Sequence, residues 1–137
     1  MNQDLKTITI LFRASHHIEE VVKQEVQAFG LNLSEFMVLE VLFHKGSLPV
    51  NAVLDKVLIP NSSMSYVIGL LMTKGLIIKQ KDAFDKRVYV LHLTEAGSSL
   101  INKVYPAHKK KLKEILNLLS NEEEETLQAL LKRIGKQ

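Results

Sequence analysis

In the stretch Asp82-Ala83-Phe84-Asp85-Lys86-Arg87 a carboxylate and a guanidinium stand two residues apart at the mouth of a turn. At that spacing Asp85 can grip Arg87 through a bidentate ion pair and fix the direction of its positive fork. An ordinary surface ion pair of small energetic worth would use the same residue types. Lys74, Lys79, Lys81 and Lys86 surround this turn in the sequence and are candidates for phosphate contacts. Upstream, Ser62, Ser63, Ser65 and Tyr66 follow Asn61 at a helix start, where hydroxyls and free backbone N–H groups can bind phosphate or base edges. Charge supports a polyanion partner through its distribution more than its total. The chain carries +3 overall, but residues 1–60 hold five basic and seven acidic side chains, whereas residues 61–93 hold five basic and two acidic.

Other chemistries lack their residues. With no cysteine there is no disulfide, thiolate nucleophile or CxxC zinc site. His16 and His17 are adjacent and diverge by about 100° on a helix, and His44, His92 and His108 have no cysteine or carboxylate at ligand spacing. No metal and no cofactor are therefore expected. The sequence contains no Gly-rich phosphate loop, no nucleophile elbow and no carboxylate pair with divergent environments, so an enzyme is not expected. The cluster HKKKLK at 108–113 reads as a solvated helix face balanced by the acidic run NEEEE. No apolar run reaches the roughly 18 to 20 residues a membrane span needs, and the N-terminal stretch lacks the pattern of a secretory signal. A cytoplasmic protein is expected.

The elements that must position these groups follow from periodicity. Ile8, Leu11, Ser15, Ile18, Val22, Val26 and Phe29 recur at steps of three and four, predicting a long amphipathic helix that Gly30 ends. Ser34 is the expected cap of a second, largely apolar helix that Gly46 closes. The short extended SLPV leads to NAVLDKVL and then to a helix with Asn61 as N-cap and Gly75 as its stop, giving two short helices joined by a tight turn. Met64, Val67, Ile68 and Leu71 should face the core. LIIKQK and RVYVLHL are β-rich runs separated by the five residues DAFDK, a hairpin. Thr94 caps a long helix with a kink expected at Pro106, and Ser120 with Glu123 has capping-box spacing before a last helix. The fold class is mainly α with a small β-hairpin wing: a winged helix-turn-helix. Such a motif places its second helix in the DNA major groove and its hairpin at the minor groove, where narrow A·T-rich stretches attract an arginine.

IPNSSMSYVIGLLMTKGLI followed by DAFDKRVYVLHLTEAG resembles the multiple-antibiotic-resistance regulator (MarR) family of winged helix-turn-helix repressors. Asp85, Arg87, Leu93, Thr94 and Gly97 fall on that family's D-x-R…L-T-x-x-G signature. The resemblance implies one MarR-like domain over residues 1–137. Its DNA-binding lobe would be 31–93, and residues 1–30 and 94–137 would be dimerisation helices. It further implies a homodimer on a palindromic operator, released by a small ligand or stress signal. LNLSEFMVLEVLFHKG is similar to a branch that responds to quinones and phenols. Two places depart from the family: Tyr66 stands where many relatives carry arginine, and the run Gly69-Leu70-Leu71 stands where relatives often have an acidic residue, an arginine and a leucine. Readout of guanine by a bidentate arginine is not available from this helix.

Phe12 and His16 on the first helix and Phe36 on the second are the expected lining of an effector pocket for a small aromatic or phenolic ligand; core packing in a dimer is the alternative. A competing function, suggested by the charge-poor helix with Gly69, Leu70 and Met72, is a winged-helix protein-interaction module with weak or lost DNA binding.

Overall fold

The computed structural model describes residues 5–57 and 61–135, and the side chains of all of these but Asn61 and Ser62. Six helices and three short strands follow in the order α1 (Lys6–Gln27), α2 (Leu33–Lys45), β1 (Leu48–Pro49), α3 (Val50–Lys56), α4 (Asn61–Thr73), β2 (Ile77–Lys81), β3 (Tyr89–Leu93), α5 (Glu95–Leu116) and α6 (Asn121–Gly135). The expected order of helices and hairpin is present. The tight turn expected between α3 and α4 falls on residues 58–60, outside the described residues, as do the side chains behind the expected Asn61 cap and Ser62 contact.

Helix ends show why the chain breaks where it does. Past the end of α1, Gly30 takes a φ of +76°, which lets the Leu31 N–H reach the Val26 carbonyl at 3.1 Å and turns the chain into α2. Gly75 does the same after α4, at a φ of +73°, with the Leu76 N–H on the Leu71 carbonyl at 3.0 Å. Asn32, rather than Ser34, caps α2. Its Oδ1 accepts the Glu35 N–H at 2.7 Å while Glu35 Oε1 accepts the Asn32 N–H at 3.0 Å, a reciprocal box. Ser34 has no glutamate or glutamine three residues on to answer it, and Asn32 does.

The chain forms two compact units, residues 1–105 and 106–137, with α5 continuing through Pro106 at their junction. In the first unit the core gathers Val22 and Val26 of α1, Phe36, Val38, Leu39 and Leu42 of α2, Val53 of α3, the apolar face of α4, Ile77, Leu91, and Ile101 and Val104 of α5. Only the last turns of α1 take part. Ile8, Ile10, Phe12 and Ile18 remain exposed on its earlier turns.

The sheet is antiparallel, in the order β1-β3-β2. SLPV thus supplies a third strand: Leu48 pairs with Leu91 and Pro49 with Val90. The hairpin differs slightly from expectation. β3 begins at Tyr89, not Arg87, and the connection is residues 82–88, because the Asp82 N–H closes the loop on the Val88 carbonyl at 2.9 Å. Along β2 only Ile77 is buried and along β3 only Leu91, so the far end of the hairpin lies in solvent.

In the second unit, Ser120 and Glu123 form the expected capping box, with bonds of 2.9 and 3.1 Å, and the Ser120 backbone N–H, and after it the Ser120 hydroxyl, hold the Glu123 carboxyl below its usual range. Glu122, Glu123 and Glu124 at the first turn of α6 and Lys132 and Arg133 at its last complement the helix dipole. No described side chain of α6 is buried, and Leu118, Leu127, Leu130 and Ile134 are exposed.

Candidate nucleic-acid interface

Helix α4 separates cleanly into two faces. Met64, Val67, Ile68 and Leu71 point into the core as expected, leaving Ser63, Ser65, Tyr66, Gly69, Met72 and Thr73 on the outward face. That face is polar and uncharged with one aromatic ring, so it offers hydroxyl bonds and apolar contact to thymine methyls. Leu70 is only half-buried and Met72 exposed.

At the wing, Asp85 and Arg87 make the bidentate pair their spacing suggests. Arg87 Nε donates to Asp85 Oδ1 at 3.1 Å and Nη2 to Oδ2 at 3.3 Å, and the Arg87 backbone N–H adds a third bond to Oδ1 at 3.0 Å. The Arg87 side chain is nonetheless 91% exposed, so the fork is aimed without being covered. The Arg87 guanidinium, and after it the Arg87 N–H, hold the Asp85 carboxyl below the usual carboxylate range. Since the folded value is depressed, the clamp is complete above the ordinary aspartate pKa and is lost only as pH falls through the depressed one. A carboxyl-carbon NMR titration should therefore give Asp85 a midpoint below that of a free aspartate, returning upward in Arg87→Ala. An ordinary midpoint in the unaltered protein would contradict the clamp.

A second acid, overlooked in the sequence, fastens the tip. Asp82 Oδ2 accepts the N–H groups of both Phe84 and Asp85, at 3.1 and 2.9 Å, an Asx turn. The D-x-x-D spacing of Asp82 and Asp85 was its available signal.

The lysines divide. Lys79, Lys81 and Lys86 are exposed, Lys79 with its Nζ 4.9 Å from the centre of the Tyr89 ring. Lys79 and Arg87 border one open groove of about 430 Å³ between α3 and the wing, walled by Val50, Leu54 and Tyr89. Lys74 is engaged elsewhere. Its Nζ lies 2.6 Å from Oε2 of Glu35, whose side chain is 2% exposed, and donates to the Gly30 carbonyl at 2.9 Å. This ammonium pins the end of α4 to the start of α2 and is not held out for a phosphate.

The three expected pocket residues differ in exposure. Phe12 is 68% exposed and His16 lies on the open surface of α1, whereas Phe36 is closed into the core. Helix α2 is apolar around most of its circumference, so Phe36 has a core position to fill.

The L-T-x-x-G run sets the wing on its base. Thr94 Oγ1 accepts the Gly97 N–H at 3.0 Å, capping α5, and donates to the Gly75 carbonyl at 2.6 Å. The Thr94 N–H reaches the Leu76 carbonyl at 3.0 Å. Gly97 then packs so closely that a Cβ would overlap the Leu76 carbonyl oxygen.

A helix-turn-helix with an arginine-tipped hairpin braced on the next helix defines a winged-helix DNA-binding protein. Residues 18–104 match the family model described as "Transcriptional regulator SarA/Rot". The HTH-type transcriptional regulator MhqR of Bacillus subtilis is 37% identical over 97% of this chain and 92% of its own length. Among solved structures, the S. aureus MepR–DNA complex superposes with a TM-score of 0.84 at 24% identity, covering 93% of this chain and 96% of that one. The organohalide-sensing regulator RdhR in its 2,4-dichlorophenol-bound form gives 0.83 at 19% identity, covering 98% and 80%. The chain belongs to the SarA/Rot transcriptional regulators, within the MarR-type winged-helix family. It is a DNA-binding regulator of transcription.

Proposed function

We propose that the protein is a cytoplasmic, ligand- or stress-responsive repressor that binds a palindromic operator as a homodimer, with α4 in the major groove and the wing in the minor groove. The observation that carries this reading is the exposed Arg87 fork, aimed by three bonds to Asp85, on the hairpin that follows α4. Ser62, Ser63, Ser65 and Tyr66 address bases and phosphates, and Lys79, Lys81 and Lys86 the backbone. The wing, α2, α3 and α4 form the DNA-binding lobe, residues 31–93, and residues 1–30 and 94–137 join two copies. The uncovered apolar residues of α1 and of residues 106–137 support that pairing. In a dimer, Phe12 and His16 gain neighbours that the single chain lacks, and a small aromatic or phenolic effector is proposed to bind there. RdhR, whose structure holds 2,4-dichlorophenol, is the supporting likeness. Such a ligand acts only by preferring the form that cannot span two half-sites.

Arg87→Ala should weaken binding to a promoter duplex by about 1 to 3 kcal/mol and lower the salt slope by about one. Unchanged affinity and slope would overturn the wing assignment. One observation favours a second reading, a protein-interaction module: Tyr66 and Met72 are exposed on an α4 whose outward face carries no cation. A dimer that flows through immobilised duplex and heparin at low salt would select it.

A further inference from the structure

At the apex of the wing, Phe84 is 97% exposed. A ring so placed touches almost nothing of its own chain, and apolar surface left in water is unfavourable. The loop beneath it is not loose. Asp82 Oδ2 accepts the Phe84 and Asp85 N–H groups, the Val88 N–H bonds to the Asp85 carbonyl at 3.0 Å, and the Asp82 N–H to the Val88 carbonyl at 2.9 Å. Four bonds thus present an aromatic ring on a preorganised tip.

From this geometry we infer that Phe84 is a wedge, entering between two base pairs of the minor groove where Arg87 leads the wing. The inference rests on the proposed placement of the wing on DNA. Charge selects the occupant. Both tip carboxylates are engaged within the loop, Asp82 by two N–H groups and Asp85 by Arg87, while Lys81, Lys86 and Arg87 stay exposed in the same segment. An apolar point on a segment with three exposed cations suits a polyanion with an openable hydrophobic stack, and minor-groove proteins kink DNA with such side chains, phenylalanine and leucine among them. The chain should accordingly favour a pyrimidine–purine step under each wing tip, since TA and CA/TG steps unstack most readily. It would do so without hydrogen-bonding those bases.

The test compares the unaltered protein with Phe84→Ala, Phe84→Leu and Arg87→Ala on a duplex that the unaltered protein selects from a random-sequence pool. 2-Aminopurine placed at the step reports unstacking, and end-to-end energy transfer reports bending. Phe84→Ala should bind about tenfold more weakly, with the bend and the fluorescence rise lost. Its salt slope should stay unchanged, because no phosphate contact is removed. Phe84→Leu should retain the bend. Thermal midpoints should be unaffected, the ring having no packing partners to lose. A Phe84→Ala protein that still bends and unstacks the duplex overturns the wedge, as does one that loses self-association instead. If Arg87→Ala binds normally, the wing reading itself fails; if Arg87→Ala is weakened and Phe84→Ala is not, only the wedge fails.

Discussion

Lys74→Met is expected to destabilise the fold by about 3 kcal/mol, the range measured when one partner of a buried ion pair is removed. The magnitude follows from asymmetry. Lys74 is 38% exposed and could be hydrated alone, whereas Glu35 is almost fully enclosed and would lose its nearest compensating charge. The Asn32 N–H on Oε1 remains after the substitution, which places the loss toward the low end of that range. Glu35→Gln in the same chain should restore most of the stability, because an amide keeps the capping box with Asn32 while withdrawing the charge. Urea unfolding of the two single variants and the double variant measures the coupling directly. If Lys74→Met alone falls within about 0.5 kcal/mol of the unaltered protein, the pair is only a surface contact. A second consequence concerns DNA. Since Lys74 is bound to Glu35 and to the Gly30 carbonyl, its loss should leave the salt slope of binding intact, unlike loss of Lys81 or Lys86.

The Lys74 case shows where the sequence was legible and where it stopped being so. Local periodicity gave the apolar face of α4, and local spacing gave the Asp85–Arg87 clamp, the Ser120–Glu123 box and the stops at Gly30 and Gly75; each depends on residues within a few positions of one another. Lys74 and Glu35 are far apart in the chain, and nothing local distinguishes a lysine with a buried partner from one free to meet a phosphate. The burial of Phe36 has the same origin, because how deeply an aromatic residue is enclosed depends on elements that sequence spacing does not locate. Asn32 and Asp82 are different. Both were readable, since Asn32 stands three before Glu35 and Asp82 three before Asp85, but neighbouring Ser34 and the Asp85–Arg87 pair offered competing explanations of the same segments. SLPV was recognisable as extended, yet its place as a strand came only from its long-range pairing with β3.

Gly97→Ala and Gly69→Ala make one chemical change in two helices and should move stability in opposite directions. Helix propensity alone favours alanine at both by about 1 kcal/mol. At Gly69 that preference should be realised, because a Cβ there meets nothing within 4 Å, and α4 should be stabilised by about 1 kcal/mol. At Gly97 the Cβ would overlap the Leu76 carbonyl oxygen and crowd a Leu93 methyl at 3.3 Å. That carbonyl cannot withdraw freely, since it also accepts the Thr94 N–H, and Thr94 in turn holds the Gly75 carbonyl and caps α5. Relief of the overlap therefore requires the start of α5 to lift from the base of the wing, at a net loss of about 3 kcal/mol. Denaturant midpoints should shift in opposite senses with unchanged m-values. Gly97→Ala should also weaken DNA binding although residue 97 touches no DNA, because the hairpin carrying Arg87 loses its brace. A Gly97→Ala protein as stable as the unaltered one would show that the approach to Leu76 is not a real constraint, and would leave the glycine of the L-T-x-x-G run without a structural cause.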